Sequence, residues 1–243
     1  MITNLSDDPK FEIISENLKV IRNDITETSI STGRNPEDVR LMAVTKTVDV
    51  KYINHAIENC GVDLIGENKV QEFLSKKDSL SLGGVEKHLI GHLQTNKVKK
   101  ILPEVDMIQS VDSLRLATAI SSEAVKLGVE SKVLLEVNIG DEDSKTGFDK
   151  TAFMESLDEI SKLPSLKVKG LMTIPPICEN TLELEKYFSM MYDYYNEIKE
   201  KNFENFDFEI LSMGMSGDYK EAIKYGSNLV RVGSAIFGAR IYK

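Results

Sequence analysis

The sequence predicts an α/β fold, one closed (β/α)8 (TIM) barrel with an extra N-terminal helix. Eight short apolar or β-branched runs recur along the 243 residues, each followed by a longer amphipathic segment. Regular strand–helix alternation means parallel strands joined by crossover helices, and about eight such units mark a closed barrel. The rival open, doubly wound sheet would carry a G-x-G-x-x-G turn after its first strand. Here that strand runs out into Thr45-Lys46-Thr47 instead. No Pro/Ser-rich linker, low-complexity run or repeat divides the chain, so residues 1–243 are expected to form a single domain.

The extra helix spans about Phe11 to Thr32 and ends near Gly33. The expected strands are 41–46, 63–66, 87–91, 106–109, 132–138, 168–173, 209–213 and 229–232. Between them, helical patterns run over Val50 to Asn59, Ser113 to Leu127, Lys150 to Leu163, Leu182 to Glu200 and Asp218 to Tyr225. Ser113 and Asp218 stand at N-cap positions and Gly128 at a C-cap. The short basic run Asn96-Lys97-Val98-Lys99-Lys100 is expected to be a solvated helix end.

Apolar residues make up 41% of the chain, enough for a sizeable core, and charged residues 28%. Acidic residues exceed basic ones by 39 to 30, a formal charge of -9. A nucleic-acid partner would want a basic stripe, which the sequence lacks. The polar start, Met1 to Lys10, is not a signal peptide, and no apolar stretch reaches the roughly 18 residues that span a bilayer. Cys60 and Cys178 lie far apart with no CxxC spacing, the pattern of reduced thiols. A soluble cytoplasmic protein is expected, with no nucleic-acid or membrane partner.

In a barrel the active site forms where strands run out at their carboxyl ends. The polar residues there are Lys46, Glu67-Asn68, His92, Ser110, Asn138, Thr173, Ser212 and Ser234. Lys46 is a lone amine ending an apolar run. Desolvation at such a site penalises the ammonium form, and a neutral amine can form a Schiff base with an aldehyde. The alternative for Lys46 alone is a snorkelling surface lysine. Barrels often hold phosphate in the loops after strands 7 and 8. Ser212-Met213-Gly214-Met215-Ser216-Gly217 follows the seventh strand, and Gly233-Ser234 follows the eighth. Glycines there let the backbone approach an anion, and the serines add hydroxyl donors. An amine and two phosphate-type loops together suggest a phosphorylated aldehyde, with pyridoxal 5'-phosphate (PLP) leading. Arg231 shares a strand face with Gly233. It either faces the pyridine nitrogen of PLP or pairs internally with an acid such as Glu67.

These residues resemble the YggS/PROSC family of pyridoxal phosphate homeostasis proteins, which look like the alanine racemase barrel domain (PLP fold type III) standing alone. The resemblance runs from Leu41 to Arg240. It rests on Ala43-Val44-Thr45-Lys46, Gly66 to Glu72, His88 to Lys97, Val137-Asn138-Ile139, Ser144 to Phe148, Gly170 to Ile174, Leu211 to Tyr219 and Arg231 to Gly238. It implies that Lys46 forms the Schiff base with PLP. It further implies that Ser212, Gly233 and Ser234 hold the phosphate while Met213, Gly214 and Ser216 shape that loop. Arg231 would meet the pyridine nitrogen, and Asn68 would lie near the cofactor. Two departures from the family pattern are Lys87, where many relatives have an aromatic, and Ser234, where many have threonine.

A PLP racemase needs an acid/base on each face of the substrate carbon. Lys46 serves one face; in alanine racemase a tyrosine from a second domain serves the other, and this chain stops at Lys243. Tyr219, Tyr225 and Tyr242 are the candidate substitutes. The expectation is a monomeric PLP carrier that serves PLP homeostasis and passes cofactor to apo PLP-dependent enzymes. The alternatives are a weak PLP-dependent amino-acid racemase or lyase, and an aldolase-like enzyme acting on a sugar phosphate.

Overall fold

The computed structural model describes residues 8–142, 146–178 and 180–239. Eight parallel strands close into a barrel in chain order. They are β1 (Arg40–Val44), β2 (Leu64–Glu67), β3 (Glu86–Leu89), β4 (Met107–Val111), β5 (Ser131–Glu136), β6 (Leu166–Met172), β7 (Phe206–Ser212) and β8 (Leu229–Val232). β8 pairs back onto β1, with Met42 opposite Arg231 and Ala43 opposite Val232.

The helices in chain order are α1 (Pro9–Ser31), α2 (Val50–Cys60), α3 (Val70–Lys76), α4 (Val98–Ile101), α5 (Leu114–Leu127), α6 (Lys150–Ser161), α7 (Thr181–Glu200), α8 (Tyr219–Lys224) and α9 (Ser234–Phe237). The starts of α1, α2, α5, α6 and α7 follow ordinary capping chemistry, in which a side-chain oxygen satisfies an early helical N–H. Asp8 accepts from Lys10 N–H, Asp49 from Lys51 N–H and Ser113 from Leu116 N–H. α5 ends at left-handed Gly128, as its position predicts. Asp218 does not cap α8; its carboxylate turns back to take the N–H of Met215 and tightens the preceding loop.

α1 buries Ile14, Leu18, Ile21 and Ile25, the helical spacing that makes one apolar stripe. That stripe joins outward residues of β1 and β8, including Ala43, Val230 and Val232, in one shell of the core. A larger shell lies outside β4 to β7, with Ile108, Val133, Leu171 and Leu211 packed on Leu116, Phe153 and Phe188. Inside the barrel sit two smaller apolar groups. One contains Met42, Val44, Leu64, Ile90 and Leu229, the other Met107, Leu134 and Met172. The basic run 96–100 is not simply solvated, because α4 buries Val98 and Ile101 and leaves its lysines outside.

Candidate functional site

β1 stops at Val44, so Lys46 stands two residues beyond the strand and not within it. Helix α3 holds the backbone on both sides of this lysine. Lys76 Nζ donates to the Thr45 carbonyl at 2.9 Å, and Thr47 N–H donates to Glu72 Oε1 at 2.5 Å. Thr47 is at φ 62°, a strained conformation for a β-branched residue. Lys76 is buried and pairs with Glu67 and, at 3.2 Å, with Glu72. Glu67 Oε1 also accepts the Thr45 hydroxyl at 2.6 Å. Burial raises the Glu67 pKa, against the opposing pull of Lys76.

Lys46 lines two adjoining cavities of about 570 and 290 Å³, which share Val44, Gly233 and Ser234. The smaller is completed by Asn68, Ile90, Ile174, Met215, Ser216, Gly217 and Arg231. Asn68 follows β2, and its buried Oδ1 has no hydrogen-bond partner among the described residues. Such an atom is costly unless something donates to it. Gly91 allows this packing, since a Cβ there would overlap the Asn68 carbonyl. At the other side of the cavity Ser216 Oγ accepts from Gly233 N–H at 3.1 Å and Ala235 N–H at 3.2 Å. The two amides fix the Ser216 oxygen as an acceptor, so its own proton is left to donate, which suits a phosphate oxygen. Gly214 is at φ 93°, and a Cβ on it would overlap Ala222.

Arg231 is buried and lines the same cavity. It donates to Ser212 Oγ at 2.7 Å and to the Thr173 carbonyl at 2.8 Å. Burial lowers its pKa to about 10, so it stays cationic at neutral pH. The internal partner suggested by sequence, Glu67, is instead held by Lys76. A guanidinium carries five N–H donors, so two bonds inside the barrel leave donors for a ligand acceptor.

Of the nine expected site residues, Lys46, Asn68, Ser216, Arg231, Gly233 and Ser234 line the smaller cavity. Ser212, Met213 and Gly214 do not. Ser212 is fully buried, its hydroxyl donating to Gln109 Oε1 at 2.8 Å while accepting from Arg231. Met213 packs in the outer shell, and Gly214 acts through its backbone, accepting Arg231 N–H at 3.0 Å. Ile90, Ile174 and Met215 were not foreseen as cavity walls. Their positions just past β3, β6 and β7 are the signal that could have named them. Lys87 faces away from the site and pairs with Asp106 at 3.0 Å. Tyr219 donates to Asp24 at 2.6 Å, and Tyr242 lies outside the described residues. No tyrosine lines the smaller cavity among the described residues. Tyr52 lines the larger one, with its hydroxyl donated to Asp8 at 2.8 Å.

At the end of β5, Glu136 is buried and its pKa is pushed up to about 7, chiefly by desolvation and also by the nearby charge of Asp112. Thr146 donates to its Oε1 at 2.7 Å. A carboxyl raised from 4.5 to about 7 on folding keeps a proton that the unfolded chain has lost. Its contribution to stability is therefore full below pH 4.5 and disappears as pH rises through about 7. Glu136→Gln should flatten this dependence. Between pH 5 and 8 the wild type should lose on the order of 2 kcal/mol relative to the variant, or roughly 4–8 °C in Tm. Parallel melting profiles for the two proteins would contradict the assignment.

Comparison with known proteins identifies the family. The family described as alanine racemase, N-terminal domain, matches residues 16–241. The pyridoxal phosphate homeostasis protein of Aquifex aeolicus is 40% identical over 210 residues, 86% of this chain and 91% of the relative. The structure of Synechococcus elongatus PipY with PLP bound superposes with a TM-score of 0.81 at 31% identity, covering 93% of this chain and all of PipY. Alanine racemase of Clostridium difficile shares the fold, with a TM-score of 0.72 at 18% identity; the match covers 94% of this chain but 58% of the racemase. The chain belongs to the alanine racemase N-terminal-domain family and, within it, to the pyridoxal phosphate homeostasis proteins.

Proposed function

We propose that the chain binds PLP in the smaller cavity and serves PLP homeostasis by holding the cofactor and passing it to apo PLP-dependent enzymes. The observation that carries this is the convergence of Lys46, Asn68, Arg231, Ser216, Gly233 and Ser234, from the ends of four strands (β1, β2, β7 and β8), on one cavity. Lys46 supplies the amine for the aldehyde. Ser216, Ser234 and the backbone at Gly233 suit the phosphate, and Arg231 suits the ring nitrogen. The unsatisfied Asn68 oxygen can take a donor from the ligand. The bound PLP of the PipY structure supports the same reading.

Bound PLP supplies an electron sink. Arg231 is a permanent donor, so a ring nitrogen facing it stays unprotonated and the sink is weak. Among the described residues no tyrosine lines the smaller cavity, so none of them offers a phenol as the acid opposite Lys46. Both features favour a carrier over a racemase. The carrier is proposed to act as a cytoplasmic monomer.

Equilibrium titration with PLP and with pyridoxal tests the reading. Losing one hydroxyl donor to a charged acceptor costs about 1.5–3 kcal/mol, so Ser216→Ala and Ser234→Ala should each weaken PLP binding by roughly tenfold or more. Pyridoxal should bind the wild type poorly and barely respond to either substitution. Equal affinity for PLP and pyridoxal would refute the phosphate cradle.

A further inference from the structure

A chain of polar side chains, buried from His88 onward, crosses the barrel to Arg231 from the opposite wall. It begins at the N-terminal end of β3, where Arg40 pairs with Glu86 Oε2 at 2.7 Å. Glu86 Oε1 lies 2.7 Å from His88 Nε2. His88 Nδ1 is 2.8 Å from Gln109 Nε2 on β4. Gln109 Oε1 accepts from Ser212 on β7 at 2.8 Å, and Ser212 accepts from Arg231 on β8 at 2.7 Å. His88, Gln109, Ser212 and Arg231 are each at most 3% exposed.

We infer that Arg231 imposes one polarity on this entire chain, and that His88 and Gln109 in return act as positioning residues that fix its guanidinium at the cavity. This rests on the assignment of Arg231 to the cofactor site. The polarity follows from donor and acceptor inventory. A guanidinium only donates, so Ser212 Oγ must accept from it and spend its own proton on Gln109 Oε1. The Gln109 amide is thereby oriented with its NH₂ toward His88, whose Nδ1 must accept. The remaining ring proton sits on Nε2 and is donated to Glu86, an obligate acceptor when ionised. Each link has one donor and one acceptor, so no proton is left to clash and no buried group is orphaned along the chain.

The charges around His88 agree with this arrangement. Burial lowers its pKa, against the upward pulls of Glu86 and Asp106, while Arg40 adds to the lowering. A neutral ring is what the chain needs: a proton on Nδ1 would face the Gln109 NH₂ and force that amide to turn, leaving Ser212 without its acceptor. Arg231 would then lose a fixed partner on one side, though Thr173 would still hold the other.

The first test is the ¹⁵N spectrum of the His88 imidazole, assigned against His55→Asn and His92→Asn variants. It should show the neutral tautomer protonated at Nε2, with Nδ1 bare; a ring protonated at Nδ1 would overturn the inference. The second test uses PLP-loaded protein. Gln109→Leu should shift the visible absorption maximum and weaken PLP binding by about tenfold, the effect of one lost positioning bond. Gln109→Glu still accepts from Ser212 and should keep the wild-type maximum, while its second carboxylate oxygen draws a proton onto His88 Nδ1. An unchanged maximum and affinity in folded Gln109→Leu would also overturn the inference. The tautomer measurement needs no cofactor and leaves every residue from Glu86 to Arg231 in this network unsubstituted. Failure of Gln109→Leu to fold, or absence of any PLP band, would therefore leave His88 to decide, and the second of these would count against the cofactor site alone.

Discussion

Lys46→Ala should abolish the visible absorption of PLP-loaded protein and reduce cofactor retained after desalting by more than tenfold. The amine is the group of the cavity suited to covalent capture of an aldehyde, and the phosphate contacts alone exchange freely. The fold should survive. Lys46 stands beyond the end of β1, outside both core shells and both interior apolar groups. A change there is expected to stay within about 0.5 kcal/mol, or roughly 1–2 °C in Tm. Absorbance and calorimetry on the same preparation check both halves. A band of wild-type intensity in the variant would place the attachment on another amine.

The second large effect is on stability, at the buried pair behind Lys46. Lys76→Met removes the cation that compensates Glu67, whose Oε2 already has no hydrogen-bond partner among the described residues. Breaking a buried pair from one side costs about 3–5 kcal/mol, or roughly 6–20 °C in Tm for a chain of this size. Adding Glu67→Gln should recover most of the loss, because no uncompensated charge then remains. The single variant should be worst at high pH, where Glu67 must ionise, and closer to wild type near pH 5. A loss that does not depend on pH and is not recovered in the double variant would mean that packing, not charge, explains the cost. The same substitution removes the donor to the Thr45 carbonyl, so the single variant should also hold PLP less firmly.

The barrel was legible because its elements carry local signals. Short apolar runs separated by amphipathic helices locate all eight strands to within three residues at either end, and Ser113 and Gly128 bracket α5 as their chemistry predicts. The helices not foreseen are α3 and α9, of seven and four residues, while the four-residue α4 was expected only as the solvated end of a helix. Two turns or fewer give too little periodicity to stand out from the flanking polar sequence. Lys76 could have been found: it lies three residues after Phe73 and six after Val70, on the face those apolar residues bury, and four after Glu72.

The site was legible at its rim and not beneath it. Lys46, Asn68, Ser216 and Ser234 follow strands or their loops, where polarity at the carboxyl end of a barrel strand has functional meaning. Ser212 lies in the same motif, yet it ends its strand pointing into the barrel. Its partner Gln109 is 103 residues away in sequence, on the opposite wall, between Ile108 of the outer shell and the buried Ser110. No local pattern distinguishes Gln109 from a polar residue at a strand edge. Only barrel closure brings the two together, and with them His88 and Arg231.

Capture of PLP at Lys46 is decided by borohydride reduction of PLP-loaded wild type followed by peptide mapping. One dominant pyridoxyl-modified peptide, containing Lys46, is the expected result. A dominant adduct on Lys69, Lys76, Lys97 or any other lysine would contradict it.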